Sequence, residues 1–126
     1  YPLPKPLPMN KLSSLLFAVL MMASLQSFGQ KKVEIRFEVD GICGMCETRI
    51  EKALLETPGV WAAEWDKASH EVFVVYKPKK VSEMDLHRAV AAVGHDTKKV
   101  KAKSEIYHAL NDCCKYKDED VVKNHK

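Results

Sequence analysis

The sequence predicts an α+β fold: a βαββαβ sandwich with an antiparallel sheet, two helices on one sheet face, and a short helical extension at the C-terminal end. Three observations lead there. Period-two apolar runs occur at 33–39, 60–65 and 71–76. Two apolar stripes at helical spacing occur at 46–54 and 86–93. Turn-forming residues separate them, at Pro58-Gly59, Asp66 to Ser69, Pro78 and Gly94.

Each element has its own local justification. Val33, Ile35, Phe37 and Val39 alternate with Glu34, Arg36, Glu38 and Asp40, the pattern of a strand with one buried face. Residues 41–45 are a loop. From Cys46, the apolar positions Ile50, Ala53 and Leu54 follow helical spacing, with Arg49, Glu51 and Lys52 outside. Thr57-Pro58-Gly59 ends that helix. Residues 60–65 read as a second strand with Trp61, Ala63 and Trp65 on one side, and 71–76 as a third with Val72, Val74 and Tyr76 alternating. Ser82 to Asp85 resembles a capping box, and Leu86, Ala89, Val90 and Val93 make one apolar face up to Gly94. Residues 97–102 are a lysine-rich fourth strand at an edge. The order is that of a ferredoxin-like split βαβ sandwich. Beyond it, Ile106, Leu110, Cys113 and Cys114 lie at helical spacing, and residues 115–126 are charged and expected to fray.

The chain has 126 residues, one small domain plus ends. Hydrophobic residues are 46% and charged residues 29%, which excludes a disordered composition. The net charge of +3 comes from scattered lysines and argues against a nucleic-acid partner. Residues 1–8 are Pro-rich and read as an upstream segment without structural role. Residues 9–29 read as a signal peptide: Met9-Asn10-Lys11 is a basic n-region, 12–25 an apolar h-region, and Ser27-Phe28-Gly29 places small residues for a cut before Gln30. A membrane anchor would need an apolar run of roughly 20 residues, and this run is shorter. The expectation is an exported, periplasmic monomer with no membrane span in the mature chain. The folded domain is placed at 31–102 and the C-terminal extension at 103–126.

Cys43-Gly44-Met45-Cys46 carries the chemistry. It closes the loop after the first strand and opens a helix. There the macrodipole and the free backbone N–H groups favour thiolate over thiol. Two such thiolates hold a soft metal ion or close into a disulfide.

This setting resembles the heavy-metal-associated domain family, which includes soluble copper chaperones, N-terminal modules of metal-pumping P-type ATPases and periplasmic mercury-binding proteins. The residues that carry the resemblance are Val39-Asp40-Gly41-Ile42-Cys43-Gly44-Met45-Cys46, Ile50 to Leu54, Pro58-Gly59-Val60, Val72 to Val74, and Ala92-Val93-Gly94-His95-Asp96. Two departures stand out. The family pattern Gly-Met-x-Cys-x-x-Cys is shortened here, with only Ile42 between Gly41 and Cys43. His95 stands where the family often has an aromatic residue or Lys facing the metal loop. The resemblance implies a metal carrier whose partner is a metal-transporting P-type ATPase or another carrier protein.

Two thiolates suit near-linear Cu(I) or Hg(II), whereas Zn(II) takes about four ligands. The expected ligands are therefore Cys43 and Cys46, with Cu(I) first and Hg(II) or Zn(II) next. His95 either adds a ligand, tunes the thiolates or is an exposed loop histidine. Cys113 and Cys114 add ligands if the tail folds back on the loop; otherwise Cys113 packs as a small apolar residue. His108 precedes them by five and six residues, off the ideal helical spacing. His70 reads as a turn residue, His87 as lying on an exposed helix face and His125 as part of the tail. The competing function is a periplasmic thiol–disulfide redox protein. No Ser/His/Asp set, phosphate loop or paired catalytic carboxylates stands out, so no enzyme is expected.

Overall fold

The computed structural model describes residues 2–4, 11, 16–19 and 31–125. Most of the expected signal segment, including the cut before Gln30, lies outside the described residues; 16–19 are helical. Among the described residues, no helix is long and apolar enough to cross a membrane. Lys31–Lys126 is a compact unit separate from Tyr1–Gln30 and carries the whole architecture below.

Three strands form the sheet: β1 (Val33–Glu38), β2 (Val60–Trp65) and β3 (Glu71–Tyr76). Their order is β1-β3-β2, all antiparallel. The register places Phe37 opposite Val72, Ile35 opposite Val74 and Val33 opposite Tyr76. Directly opposed residues share a sheet face, so the period-two pattern of the sequence becomes one apolar surface. Helices α1 (Gly44–Leu55) and α2 (Glu83–Ala91) cover it. Cys46, Ile50 and Leu54 of α1 and Leu86 and Val90 of α2 are fully buried with Val72 and Val74. On the opposite face the Arg36 guanidinium lies 4.8 Å from the centroid of the Phe73 ring. The expected capping box forms. Ser82 Oγ accepts from the Asp85 N–H at 3.2 Å, and the Asp85 carboxylate accepts from the Ser82 N–H at 3.0 Å.

Four expectations are corrected. Residues 97–102 are not a strand; only an isolated bridge joins Thr97 to Val39. Side chains take the donors a ladder would need: Thr97 Oγ1 accepts from Val100 N–H at 3.1 Å, and Asp96 Oδ1 from Ala102 N–H at 2.7 Å. Trp61 does not share the face of Ala63 and Trp65. A bulge between Val60 and Ala62 shifts the phase, leaving Trp61 exposed with Lys32 Nζ 3.4 Å from its ring centroid. His87 is buried, not exposed; it stacks on Phe37 and its Nδ1 lies 2.7 Å from Thr97 Oγ1. Burial, followed by the Lys99 charge, lowers its pKa.

The fourth correction concerns the tail. It does not fray at residue 115. After α3 (Ser104–His108) comes a 3-10 turn (Asp112–Cys114), then α4 (Glu119–Asn124). Leu110 packs onto Gly94, whose φ is +105°; a Cβ there would stand 2.9 Å from Leu110 Cδ2. The Tyr116 hydroxyl donates to Gly94 C=O at 2.8 Å and accepts from Asp96 N–H at 3.0 Å. Lys117 Nζ pairs with Asp96 Oδ2 at 3.0 Å. Tyr107 closes against Tyr116 edge-on, and its hydroxyl accepts from Lys117 N–H. The tail is thus fastened to the turn after α2.

Candidate metal centre

The loop that presents the cysteines is braced from behind. Val39 N–H donates to His70 C=O at 2.8 Å and Asp40 N–H to Asp96 C=O at 2.9 Å. The Trp65 indole N–H points at both Val39 and His70 carbonyls, each at 3.1 Å. His70 itself adopts a positive φ of 60° in the turn before β3. Gly41 is required at its place: a Cβ there would come within 2.9 Å of Trp65 Cζ2 and 3.2 Å of Cys46 Cβ. The short Gly41-Ile42 approach is therefore pressed against the core.

His95 is part of this bracing. It is fully buried. Its Nδ1 lies 2.7 Å from the Asp40 carbonyl, and its Nε2 lies 3.5 Å from Arg49 Nη1. A carbonyl only accepts and a guanidinium only donates, so Nδ1 carries the proton. Burial, outweighing the Asp40 hydrogen bond, lowers its pKa to about 4 and keeps the ring neutral. Both ring nitrogens face protein partners, and the ring stacks on Tyr116. The structure places His95 as a strut between loop, α1 and tail.

Cys43 is the N-cap of α1, with extended φ/ψ of −133° and 171°. Cys46 sits one turn in and points to the core, fully buried. Their sulfurs are 3.3 Å apart. Burial raises the Cys43 thiol's pKa, but hydrogen bonds from Cys114, Cys46 and the backbone N–H groups of Cys46 and Met45 outweigh it and bring the value to about 7. Burial pushes Cys46 up to about 12. The centre is therefore asymmetric: Cys43 loses its proton more readily than Cys46.

The tail delivers two more sulfurs. Cys114 is fully buried, with Sγ 3.1 Å from Cys43 Sγ. Cys113 is half-buried, its Sγ 3.9 Å from that of Cys114. The thiols of Cys43, Cys113 and Cys114 all lie within 4.8 Å of one another. His108 is not brought to this group; it is exposed and meets the Tyr107 ring edge-on. Sequence reasoning missed Met45. Its thioether, half-exposed at the middle of the CxxC, accepts from the Cys113 thiol at 3.5 Å and lies 3.7 Å from Asn111 Nδ2. The available signal was a soft sulfur between two cysteines. Tyr116 was also missed, an aromatic residue in an otherwise charged tail.

Comparison with known proteins supports the family and the fold. The profile of the heavy-metal-associated domain matches residues 36–96. A copper-exporting P-type ATPase of Bacillus subtilis (strain 168) is 40% identical over 70 residues, which is 55% of this chain but 8% of that protein. Among solved structures, the Cu(I)-loaded N-terminal domain of a potential copper-translocating P-type ATPase from Bacillus subtilis is 36% identical. Its TM-score is 0.51, with 54% of this chain and 86% of that one covered. The CopZ metallochaperone is 29% identical, with a TM-score of 0.50, covering 52% of this chain and 98% of the other. Oxidized MerP from Ralstonia metallidurans CH34, at 22% identity and a TM-score of 0.52, shares the fold over 54% of this chain and 96% of its own.

Proposed function

We propose that this chain, whose residues 36–96 form a heavy-metal-associated domain, carries a soft cation and passes it to another metal protein. Cys43 and Cys46 take the ion, Cu(I) in preference to Hg(II) or Zn(II). The observation that carries the reading is the pair of sulfurs 3.3 Å apart at the N-terminus of α1, one of them depressed to about 7. A preformed thiolate binds a soft ion without first losing a proton, and the second thiol releases its proton as the metal–sulfur bond forms. Cu(I) fits two thiolates because it accepts low coordination, whereas Zn(II) prefers about four ligands. An incoming thiolate can then join the ion as a third ligand before one of the original two leaves. The receiver is a metal-transporting P-type ATPase or another carrier; similarity to an ATPase's N-terminal domain supports that class of partner. The work is binding and exchange, with no bond of a substrate made or broken.

Export to the periplasm, by a signal peptide at 9–29, belongs to the same proposal. One preparation tests both. The chain from Met9 onward is expressed, recovered from the periplasm, weighed by mass spectrometry and titrated with Cu(I) against a competing chelator. The expected results are a mass beginning at Gln30 and one tightly held equivalent, lost in both Cys43→Ser and Cys46→Ser. An uncut mass or retention in the cytoplasm overturns the export proposal. The absence of a tight site, together with a reversible dithiol–disulfide potential in the oxidoreductase range, overturns the carrier function in favour of thiol redox.

A further inference from the structure

Cys43, Cys113 and Cys114, with Cys46 beside Cys43 and the Met45 thioether beside Cys113, bring together more sulfur than a two-ligand carrier needs. Cys43 is its hub, 3.3 Å from Cys46 and 3.1 Å from Cys114. Cys113 completes a set of three with Cys43 and Cys114, all within 4.8 Å. With metal–sulfur bonds of about 2.3 Å, sulfurs around one ion stand about 3.8–4.0 Å apart in tetrahedral or trigonal arrangement. The Cys43–Cys46 and Cys43–Cys114 spacings of 3.3 and 3.1 Å widen by about 0.5–0.9 Å to reach that range. The tail is held close by contacts that owe nothing to sulfur: Leu110 on Gly94, the Tyr116 hydroxyl on Gly94 and Asp96, and Lys117 on Asp96. Cys114 is fully buried against the loop. Its position is therefore built by the fold.

We propose that the tail closes the metal site: Cys114, with Cys113 beside it, supplies further thiolate to the ion held at Cys43, and Cys114 occupies the place that an incoming partner thiol would take. The proposal rests on the carrier function above and deepens it. The tail is then an intramolecular competitor of the receiving protein. A tethered ligand acts at an effective concentration on the order of millimolar, so a dilute partner must displace it. In that exchange the partner's thiolate forms its metal–sulfur bond as the Cys114–metal bond breaks. The ion keeps its oxidation state, and Cys114 takes up the proton the partner thiol gives up. Met45, at the rim beside Cys113, offers a neutral soft sulfur along the way out.

X-ray absorption of the full chain loaded with one Cu(I) counts the sulfurs directly. Three or more sulfur neighbours are expected in the wild type and two in the Cys113→Ala/Cys114→Ala variant. That variant should also hand its ion to an excess of a thiol-containing acceptor about tenfold faster. Two sulfurs in the wild type, or equal release rates, overturn the proposal while leaving the carrier function intact. Absence of stoichiometric Cu(I) binding in wild type and variant alike overturns the carrier function itself. If burial of Cys114 makes the double variant unstable, the wild-type sulfur count and the release rate of Cys113→Ala, at a half-buried position, decide the question.

Discussion

At the residue scale, two cysteines one helical turn apart are made unequal by their surroundings. Cys43 ends the loop, where backbone N–H groups and neighbouring thiols converge on its sulfur; Cys46 faces Ile50, Trp65 and the rest of the core. The shift of Cys43 to about 7 has a measurable sign. Above that pH the thiolate dominates, and its alkylation in metal-free protein runs at full rate. As pH falls through 7 the thiolate is protonated and the rate declines. The prediction is that Cys43 is modified first, with a midpoint near 7, while Cys46 stays protected to alkaline pH; peptide mapping after brief treatment with iodoacetamide from pH 5 to 9 reads both. A midpoint near that of an ordinary thiol, or Cys46 reacting first, contradicts the asymmetry.

At the element scale, the chain ties its C-terminal extension to the turn after α2, and Gly94 is where the two meet. A side chain at that position suffers twice, from a φ of +105° and from a Cβ 2.9 Å from Leu110 Cδ2. Gly94→Ala should cost about 1–3 kcal/mol of stability and loosen the tail, so that Cys113 and Cys114 become more open to alkylation. Urea unfolding checks the first effect and thiol labelling the second; an unchanged midpoint with unchanged labelling would show that the tail is not clamped there. The three strands, both long helices and the capping box were legible in the sequence because each follows from local periodicity. The lost fourth strand was not, because Thr97 and Asp96 divert its backbone donors through side-chain contacts. Burial of His87 was hidden for a similar reason: its partners Phe37 and Thr97 lie outside its own helix. The Cys43-Cys46 pair could be read from spacing alone. The approach of Cys113 and Cys114 depended on contacts of Leu110, Tyr116 and Lys117 with Gly94 and Asp96, which the helical spacing of Leu110 alone does not announce.

At the scale of the whole molecule, the sandwich positions the sulfurs of the proposed carrier site. The core fixes Cys46; the braced loop fixes Cys43; the tail brings a buried Cys114 and a half-buried Cys113 against Cys43. On the proposed function, an ion held there is shielded from water and passes to another protein's thiols as the tail gives way. The direct test is transfer between two proteins. Cu(I)-loaded chain is mixed with the metal-free N-terminal domain of the Bacillus subtilis copper-translocating ATPase, the proteins are separated, and copper is measured on each. The expected result is one ion that equilibrates between them without free copper in solution, with Cys43→Ser and Cys46→Ser unable to take part. Copper that stays wholly on the loaded chain, or that exchanges equally well without Cys43 and Cys46, would contradict a carrier built on these cysteines.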